Sequence, residues 1–148
     1  MNAPRRVDLC VVGAGPAGQK AAIQAAKAGR SVVIVERDRR VGGACVHTGT
    51  IPSKALREQA RRLSGQIDAS HPKPLYELLA GVESIIAAHD RYMGQQLARN
   101  GVRCLRGQAR FLDGATLQVQ RIDGSCFTIA AAAYLIATGS RPRAPDGI

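Results

Sequence analysis

Three glycines and one acid near the start of the chain have the residue types and spacing that bind a dinucleotide. Gly13, Gly15 and Gly18 lie in the run Gly-Ala-Gly-Pro-Ala-Gly, and Glu36 follows about 20 residues later. The first glycine allows a tight turn, the second lets the backbone approach a pyrophosphate, and the third lets a helix pack closely on a strand. A carboxylate at the position of Glu36 can accept hydrogen bonds from both ribose hydroxyls.

These residues need a strand, a helix and a second strand to position them. The mostly apolar run 7–12 predicts a buried parallel strand that leads into the glycines. The alanine-rich segment that follows predicts a helix to about Ala28, whose N-terminus offers free N–H groups and a positive dipole end to phosphates. Residues 31–35 predict a second strand, with Glu36 at its carboxyl end. The order of these signals predicts a phosphate-binding unit.

Two other interpretations of these residues stay open at this point. A glycine-rich turn between a strand and a helix can be purely structural, and Glu36 could be a solvated acid beside the charged residues 37–40. If Glu36 does meet a ribose, its charge would repel a 2′-phosphate. FAD or NAD therefore fits this site better than NADP.

A second chemical signal is the run Gly-Gly-Ala-Cys-Val-His-Thr-Gly-Thr-Ile-Pro-Ser-Lys at residues 42–54. It closely resembles the redox-active segment of the flavin-dependent pyridine nucleotide–disulfide oxidoreductases, in which a Gly-Gly pair precedes two cysteines separated by four residues. Cys45 matches the first cysteine, and the hydroxyl of Thr50 stands at the second position. A single thiol cannot close the internal disulfide of that family. Within the family, the segment with this replacement resembles that of the soluble pyridine nucleotide transhydrogenases. The resemblance favours FAD as the dinucleotide.

The end of the chain carries a third signal. An apolar strand over residues 134–137 is followed by Thr-Gly-Ser-Arg-Pro at 138–142, which resembles the second flavin-contacting motif of the same family. Residues 143–148 resemble the linker that leaves the first domain. The resemblance covers essentially the whole chain, but only the N-terminal part of the family's architecture. It implies that residues 1–148 are an FAD-binding domain, truncated from a protein with nicotinamide-binding and dimerisation domains.

The resemblance also implies roles for individual residues. Lys54 would stabilise negative charge near the N5 edge of reduced flavin, Thr50 would face the isoalloxazine ring, and Cys45 would be an unpaired thiol at the catalytic site. A solvated helix lysine is the alternative for Lys54. No metal ligands are expected. The expected cofactor-binding residues are Gly13, Gly15, Pro16, Ala17, Gly18, Glu36, Arg37, Gly42, Gly43, Ala44, Cys45, Lys54, Ala109, Thr138 and Gly139.

The function implied by the resemblance is transhydrogenation. NADPH would donate a hydride by way of FAD to NAD⁺, both nicotinamide substrates being bound by the missing domain, in a homodimer. The 148-residue chain alone would be inactive. Two alternatives remain: a disulfide oxidoreductase of the dihydrolipoamide dehydrogenase type that pairs Cys45 with an external thiol, and a non-catalytic module that binds FAD or another nucleotide.

The rest of the chain predicts further helices and strands. We expect a helix over 44–63 that is interrupted or bent by Gly49 and Pro52, a loop over 64–74, and an amphipathic helix over 75–99. Short strands follow at 102–105, 109–112, 116–119 and 126–129, and two Asp-Gly pairs favour hairpins between them. The expected fold is α/β: a Rossmann-like FAD-binding domain with a parallel sheet and an inserted antiparallel β-meander.

Composition narrows the classes of partner and the compartment. The net charge is +10, but basic residues are spread along the chain and the aromatic content of 3% is too low for a base-stacking platform, so nucleic acid is not expected. A basic surface that attracts anionic dinucleotides fits better. Cys10, Cys104 and Cys126 are expected in the core, and the cysteine spacing suggests a cytoplasmic protein. No apolar run is long enough to span a membrane, and no signal peptide is expected.

Overall fold

The computed structural model of the chain describes residues 5–64 and 75–140. These residues form six strands and four helices around one sheet. The strands are β1 Arg5–Val12, β2 Val32–Glu36, β3 Arg103–Arg106, β4 Gln108–Phe111, β5 Thr116–Gln120 and β6 Cys126–Ile136; the helices are α1 Pro16–Lys27, α2 Gly43–His47, α3 Thr50–Ser64 and α4 Leu75–Arg99.

The strand order in the sheet is β3-β2-β1-β6-β5-β4. The first four strands in this order are parallel, while β5 is antiparallel to both β6 and β4. The expected fold class, a Rossmann-like α/β domain with an antiparallel meander, is therefore confirmed. Parallel strands end at the same edge of a sheet, so the carboxyl ends of β1, β2 and β6 lie together, where a ligand of an open α/β sheet binds.

Two details of the expected strand pattern are wrong. β3, expected among the meander strands, pairs in parallel with β2, where Arg103 lies opposite Val33. The separate strands expected at 126–129 and 134–137 form the single strand β6, which pairs with β5 at its start and with β1 from Ile129 to Ile136. The alanines between them have low strand propensity, but ladder pairing with the neighbouring strands overrides it.

The core lies on both faces of the sheet. β2 contributes to both faces, because its alternate side chains point in opposite directions. Val32 and Ile34 pack in a cluster with Ala22 of α1 and Leu97 of α4. Val33 and Val35 pack on the other face, in a cluster that contains Leu117, Val119 and Ile129 of the meander. Helices therefore cover one face of the sheet and the meander covers the other. All five residues of β2 are buried, as expected for a strand covered on both faces.

The helices agree with the sequence except at Pro52. α4 has the expected bounds, and Gly101 follows its end with φ 70°. The segment expected over 44–63 is interrupted at Gly49 as expected, because the helices α2 and α3 are separated at residues 48–49. Pro52 does not bend α3, because it lies in the first turn, where a missing N–H costs no intrahelical hydrogen bond. The loop expected over 64–74 lies almost wholly outside the described residues.

The cysteines differ in their environments. Cys10 is fully buried, and this burial raises the pKa of its thiol to about 11. Burial also raises the pKa of the partly buried Cys104. Cys126 was expected in the core but is exposed, because it starts β6 directly after the Asp-Gly hairpin turn. Among the described residues, no helix is long and apolar enough to cross a membrane.

The packing of α4 on the sheet predicts a large difference between two of its leucines. Leu97 is 2% exposed and belongs to the core, whereas Leu79 is 46% exposed. Leu97→Ala is expected to lower the free energy of unfolding by about 2–5 kcal/mol, because it removes buried methyl groups and leaves a cavity. Leu79→Ala should cost less than about 1 kcal/mol. Urea denaturation of both variants measures this, and equal losses would contradict the described packing of α4.

Candidate functional site

The glycine turn between β1 and α1 is packed so closely that two of its glycines have no room for a side chain. Gly13 has φ 107°, and a Cβ atom there would overlap the carbonyl oxygen of Ala137. A Cβ atom on Gly18 would overlap the carbonyl oxygen of Gly13. A Cβ atom on Gly15, by contrast, would meet nothing within 4 Å. The turn is therefore tight on the sheet side and open on the side where α1 begins.

Backbone hydrogen bonds fix this turn between the neighbouring strands. The N–H of Gly13 donates to the carbonyl of Val35 at 2.8 Å, and the N–H of Ala137 donates to the carbonyl of Val12 at 2.8 Å. Pro16 is the first residue of α1, where its lack of an N–H group is tolerated. The first N–H groups of a helix have no acceptor within the helix. The helix end therefore offers donors and the positive end of its dipole to an anion.

Glu36 is a buried carboxylate at the carboxyl end of β2, only 7% exposed. Its Oε2 atom accepts a hydrogen bond from the N–H of Ala14 at 2.6 Å, and its Oε1 atom accepts one from the N–H of Asp38 at 3.0 Å. Glu36 is thus not a solvated acid. Each carboxylate oxygen has a second lone pair and can accept one more hydrogen bond.

A cleft of about 440 Å³ lies along the carboxyl ends of β1, β2 and β6. This volume falls within the range of about 300–1,000 Å³ that is typical of small-molecule and cofactor sites. Twelve of the residues expected to bind a cofactor line it. They are Gly13, Gly15, Pro16, Ala17, Glu36, Arg37, Gly43, Ala44, Cys45, Ala109, Thr138 and Gly139.

Four of the expected site residues do not line the cleft. Gly18 and Gly42 are buried behind its wall, where they allow close packing. Thr50 and Lys54 are exposed on α3. They lie one helical turn apart and therefore on the same face of that helix.

Cys45 and Thr50 are in contact. The Sγ atom of Cys45 lies 3.2 Å from the Oγ1 atom of Thr50, close enough for a hydrogen bond in which either atom could donate. α2 and α3 approach each other at Gly49, where a Cβ atom would lie 2.9 Å from the carbonyl oxygen of Ala44. The turn between α2 and α3 therefore brings position 50 against the thiol. Cys45 also lines the cleft, so the pair joins the cleft to α3.

The charges around the cleft are of both signs. The negative charge of Glu36 is buried, while Arg37 is exposed at the mouth. The Nε atom of Arg37 lies 4.0 Å from the Oδ1 atom of Asp38. An ion pair between side chains this exposed contributes little to stability. Arg106 donates from Nη1 to the carbonyl of Asp38 at 2.8 Å, which ties β3 to this loop. In the described part of the chain, no group of three His, Cys, Asp or Glu side chains could hold a metal ion.

Sequence reasoning missed several residues of the cleft wall. Gly107 and Gln108 precede Ala109, and the N–H of Gly107 donates to the carbonyl of Glu36 at 2.9 Å. Such backbone contributions have no side-chain signature; only the nearness of these residues to expected ones could have pointed to them. The other lining residues that were not expected are Val12, Val35, Asp38, Ala137 and Ser140.

Comparison with known families agrees with this geometry. The pyridine nucleotide-disulphide oxidoreductase family matches residues 7–148. The chain belongs to this family. The family assignment covers the glycine turn, the Cys45 segment and the end of β6 together, so the three signals belong to one unit.

The relatives of this family member are much longer than the chain itself. It is 40% identical over 158 aligned positions to a soluble pyridine nucleotide transhydrogenase of Mycobacterium bovis, covering 97% of this chain and 33% of that protein. A soluble pyridine nucleotide transhydrogenase of Hamiltonella defensa is 40% identical, with 95% and 32% covered. The chain therefore spans about a third of the length of these curated relatives.

A solved structure shows the same fold. The copper(II) complex of the HOCl-induced flavoprotein disulfide reductase RclA from Escherichia coli superimposes with a TM-score of 0.83. The match covers 99% of this family member and 31% of that chain, at 24% identity. At this identity the likeness supports the fold alone.

The close packing of Gly18 predicts opposite effects of alanine at two helical glycines. Gly18→Ala is expected to lower the free energy of unfolding by about 1–3 kcal/mol, because the new Cβ atom overlaps the carbonyl of Gly13. Gly94→Ala in α4, where a Cβ atom meets nothing within 4 Å, should raise it by about 0.5–1 kcal/mol. Chemical denaturation measures both changes, and a neutral Gly18→Ala would refute the tight turn.

Proposed function

We propose that the whole protein is an FAD-dependent pyridine nucleotide transhydrogenase that passes a hydride from NADPH to NAD⁺. The observation that carries the proposal is the contact of 3.2 Å between the Cys45 thiol and the Thr50 hydroxyl. In the disulfide-reducing relatives that the segment resembles, two cysteines stand at these positions. Here the side chains still meet, but one of them has no sulfur. An internal dithiol is therefore absent from the proposed reaction.

The residues of the cleft fit FAD. The open space beside Gly15 admits a pyrophosphate against the backbone, and the donors at the start of α1 meet its negative charge. Glu36 has free lone pairs for the hydroxyls of the adenosine ribose. The backbone at Ala109 would contact the adenine, and the end of β6 at Thr138 and Gly139 would enclose the cofactor.

When bound, FAD supplies the hydride chemistry of the reaction, accepting two electrons from one nicotinamide and returning them to the other. The residues of this chain bind, orient and polarise. Thr50 fills the place of a second thiol and holds Cys45 by a hydrogen bond. We propose that Lys54 lies beside the flavin, because it shares a face of α3 with Thr50, which touches the cleft-lining Cys45. Its ammonium would stabilise negative charge that develops there.

The nicotinamide substrates need a further binding site. The described cleft has one glycine turn and one ribose carboxylate, which suit a single dinucleotide. We infer that residues 1–148 form the FAD-binding domain, and that NADPH and NAD⁺ bind to another domain of a homodimeric protein. The four cysteines are unpaired, which supports a location in the reducing cytoplasm.

The open space at Gly15 predicts how binding is lost. Gly15→Ala would place a methyl group where the pyrophosphate must approach, and the affinity of the full-length protein for FAD should fall by about tenfold or more, roughly 1.4 kcal/mol. Titration of deflavinated protein by flavin fluorescence measures this. Gly94→Ala, which adds a methyl group at a residue that does not line the cleft, is the control. Equal affinities of the two variants would remove the glycine turn from the FAD site.

The Cys45–Thr50 pair predicts how the activity responds to sulfur. Cys45→Ser should keep NADPH-to-NAD⁺ exchange within about threefold, because no step needs a thiol. Thr50→Cys would place a second sulfur against Cys45, and oxidation of the two thiols by dissolved oxygen would form a disulfide if the Cβ atoms lie about 3.5–4.5 Å apart. That disulfide would divert electrons and slow the exchange, with recovery in Cys45→Ser/Thr50→Cys. Reduction of an NAD⁺ analogue by NADPH is the assay. Loss of activity in Cys45→Ser with FAD still bound would favour a disulfide reductase.

A further inference from the structure

The loop that leads to Cys45 is held at Val41 through both backbone groups of that residue. The N–H of Val41 donates to the Oδ1 atom of Asp90 on α4 at 3.0 Å. The carbonyl oxygen of Val41 lies 2.7 Å from the Nε2 atom of His47 at the end of α2. Neither His47 nor Asp90 lines the cleft. Both nevertheless bind the same peptide segment just before the Gly-Gly pair.

The residues after Val41 leave no slack between this loop and the cleft. The N–H of Gly42 donates to the carbonyl of Ala14 at 2.8 Å. A Cβ atom on Gly42 would lie 2.5 Å from the Cγ2 atom of Val46, and one on Gly43 would lie 3.1 Å from the Cα atom of Gly15. A displacement of Val41 would therefore be passed to the glycine turn and to α2 together.

The ring of His47 is oriented by its hydrogen bond to Val41. A carbonyl oxygen can only accept, so the Nε2 atom must carry the proton. The Nδ1 atom is buried and has no hydrogen-bond partner among the described residues. A buried nitrogen without a partner costs stability, and a side chain that only filled this space would need no nitrogen. The hydrogen bond to Val41 is thus what the imidazole contributes.

Asp90 holds the loop through the N–H group of Val41. It lies on α4 one turn before Met93, whose Sδ atom is 3.4 Å from the Nε2 atom of the buried Gln19 on α1. This face of α4 therefore contacts both the loop before the Gly-Gly pair and the helix after the glycine turn. A hydrogen bond to a carboxylate is stronger than one between neutral groups, which suits Asp90 to fixing a loop.

We propose that His47 and Asp90 are positioning residues that set the location of α2, and with it Cys45, relative to the phosphate-binding turn. The backbone of Val41 is the point through which both act. The consequence for the flavin rests on the proposed function. The placement of Cys45 does not, because the reactivity of its thiol can be measured whether or not FAD is bound.

The experiment compares disruptive and conservative variants of the full-length protein. His47→Leu and Asp90→Ala remove the hydrogen bonds to Val41. His47→Gln keeps a donor near the Nε2 position, and Asp90→Asn keeps an acceptor oxygen without the charge. His89→Leu and Glu83→Gln on α4 are the matched controls.

For each protein we would measure the rate at which N-ethylmaleimide labels Cys45, resolved by peptide mass spectrometry, together with the FAD affinity and the urea midpoint.

The disruptive variants should label Cys45 about fivefold faster or more, the equivalent of one ordinary hydrogen bond. Their FAD affinity should fall by a similar factor. The conservative variants and controls should stay within about twofold of the parent protein. Whichever disruptive variant folds, its labelling rate relative to its conservative partner decides: equal rates overturn the proposal, even if the urea midpoint has fallen. If the parent protein binds no FAD, the proposed function fails while the labelling rates still test the positioning role.

Discussion

The backbone of Ala14 is the point on which the arrangement of the cleft depends. Its N–H donates to the carboxylate of Glu36, and its carbonyl accepts from the N–H of Gly42 and from the side-chain amide of Gln19. Ala14 is fully buried, so each of these groups needs a protein partner. One residue thus joins β2, α1 and the loop before α2 through its backbone. Because Gln19 is buried as well, the loss of any partner would leave a polar group unpaired.

The parts of the fold that the sequence predicted are those with local physical causes. The tight contacts at Gly13 and Gly18 exclude every larger residue, so the glycine pattern reports the turn directly. The 3.6-residue apolar period predicted α4 with its observed bounds. The pairing of β3 with β2 and the unbroken course of β6 depend on neighbours distant in sequence. No local property of residues 103–106 or 130–133 reveals which strand lies beside them.

The candidate site divides along the same line. Glycine, carboxylate and thiol positions could be named in advance because their side chains, or the lack of one, carry the chemistry. Gly107 and Ser140 contribute to the wall of the cleft through their place in the fold, which the residue types do not encode. The contacts of His47 and Asp90 with Val41 could not be predicted for a related reason. They join a loop to helices far apart in the chain, and they act on a backbone segment rather than a ligand.

The long course of β6 has a consequence for how the domain acquires its structure. The central strand β1 has β6 as one of its two neighbours, and almost the whole described chain lies between them. Closing a sheet across such a separation costs loop-closure entropy before the strands pair. The domain therefore has a high contact order, and its folding should be slow. During synthesis on the ribosome, β1 would pair only with β2 until β6 emerges. During that interval the cleft would have only part of its wall, and the edge of β1 that later pairs with β6 would be unpaired.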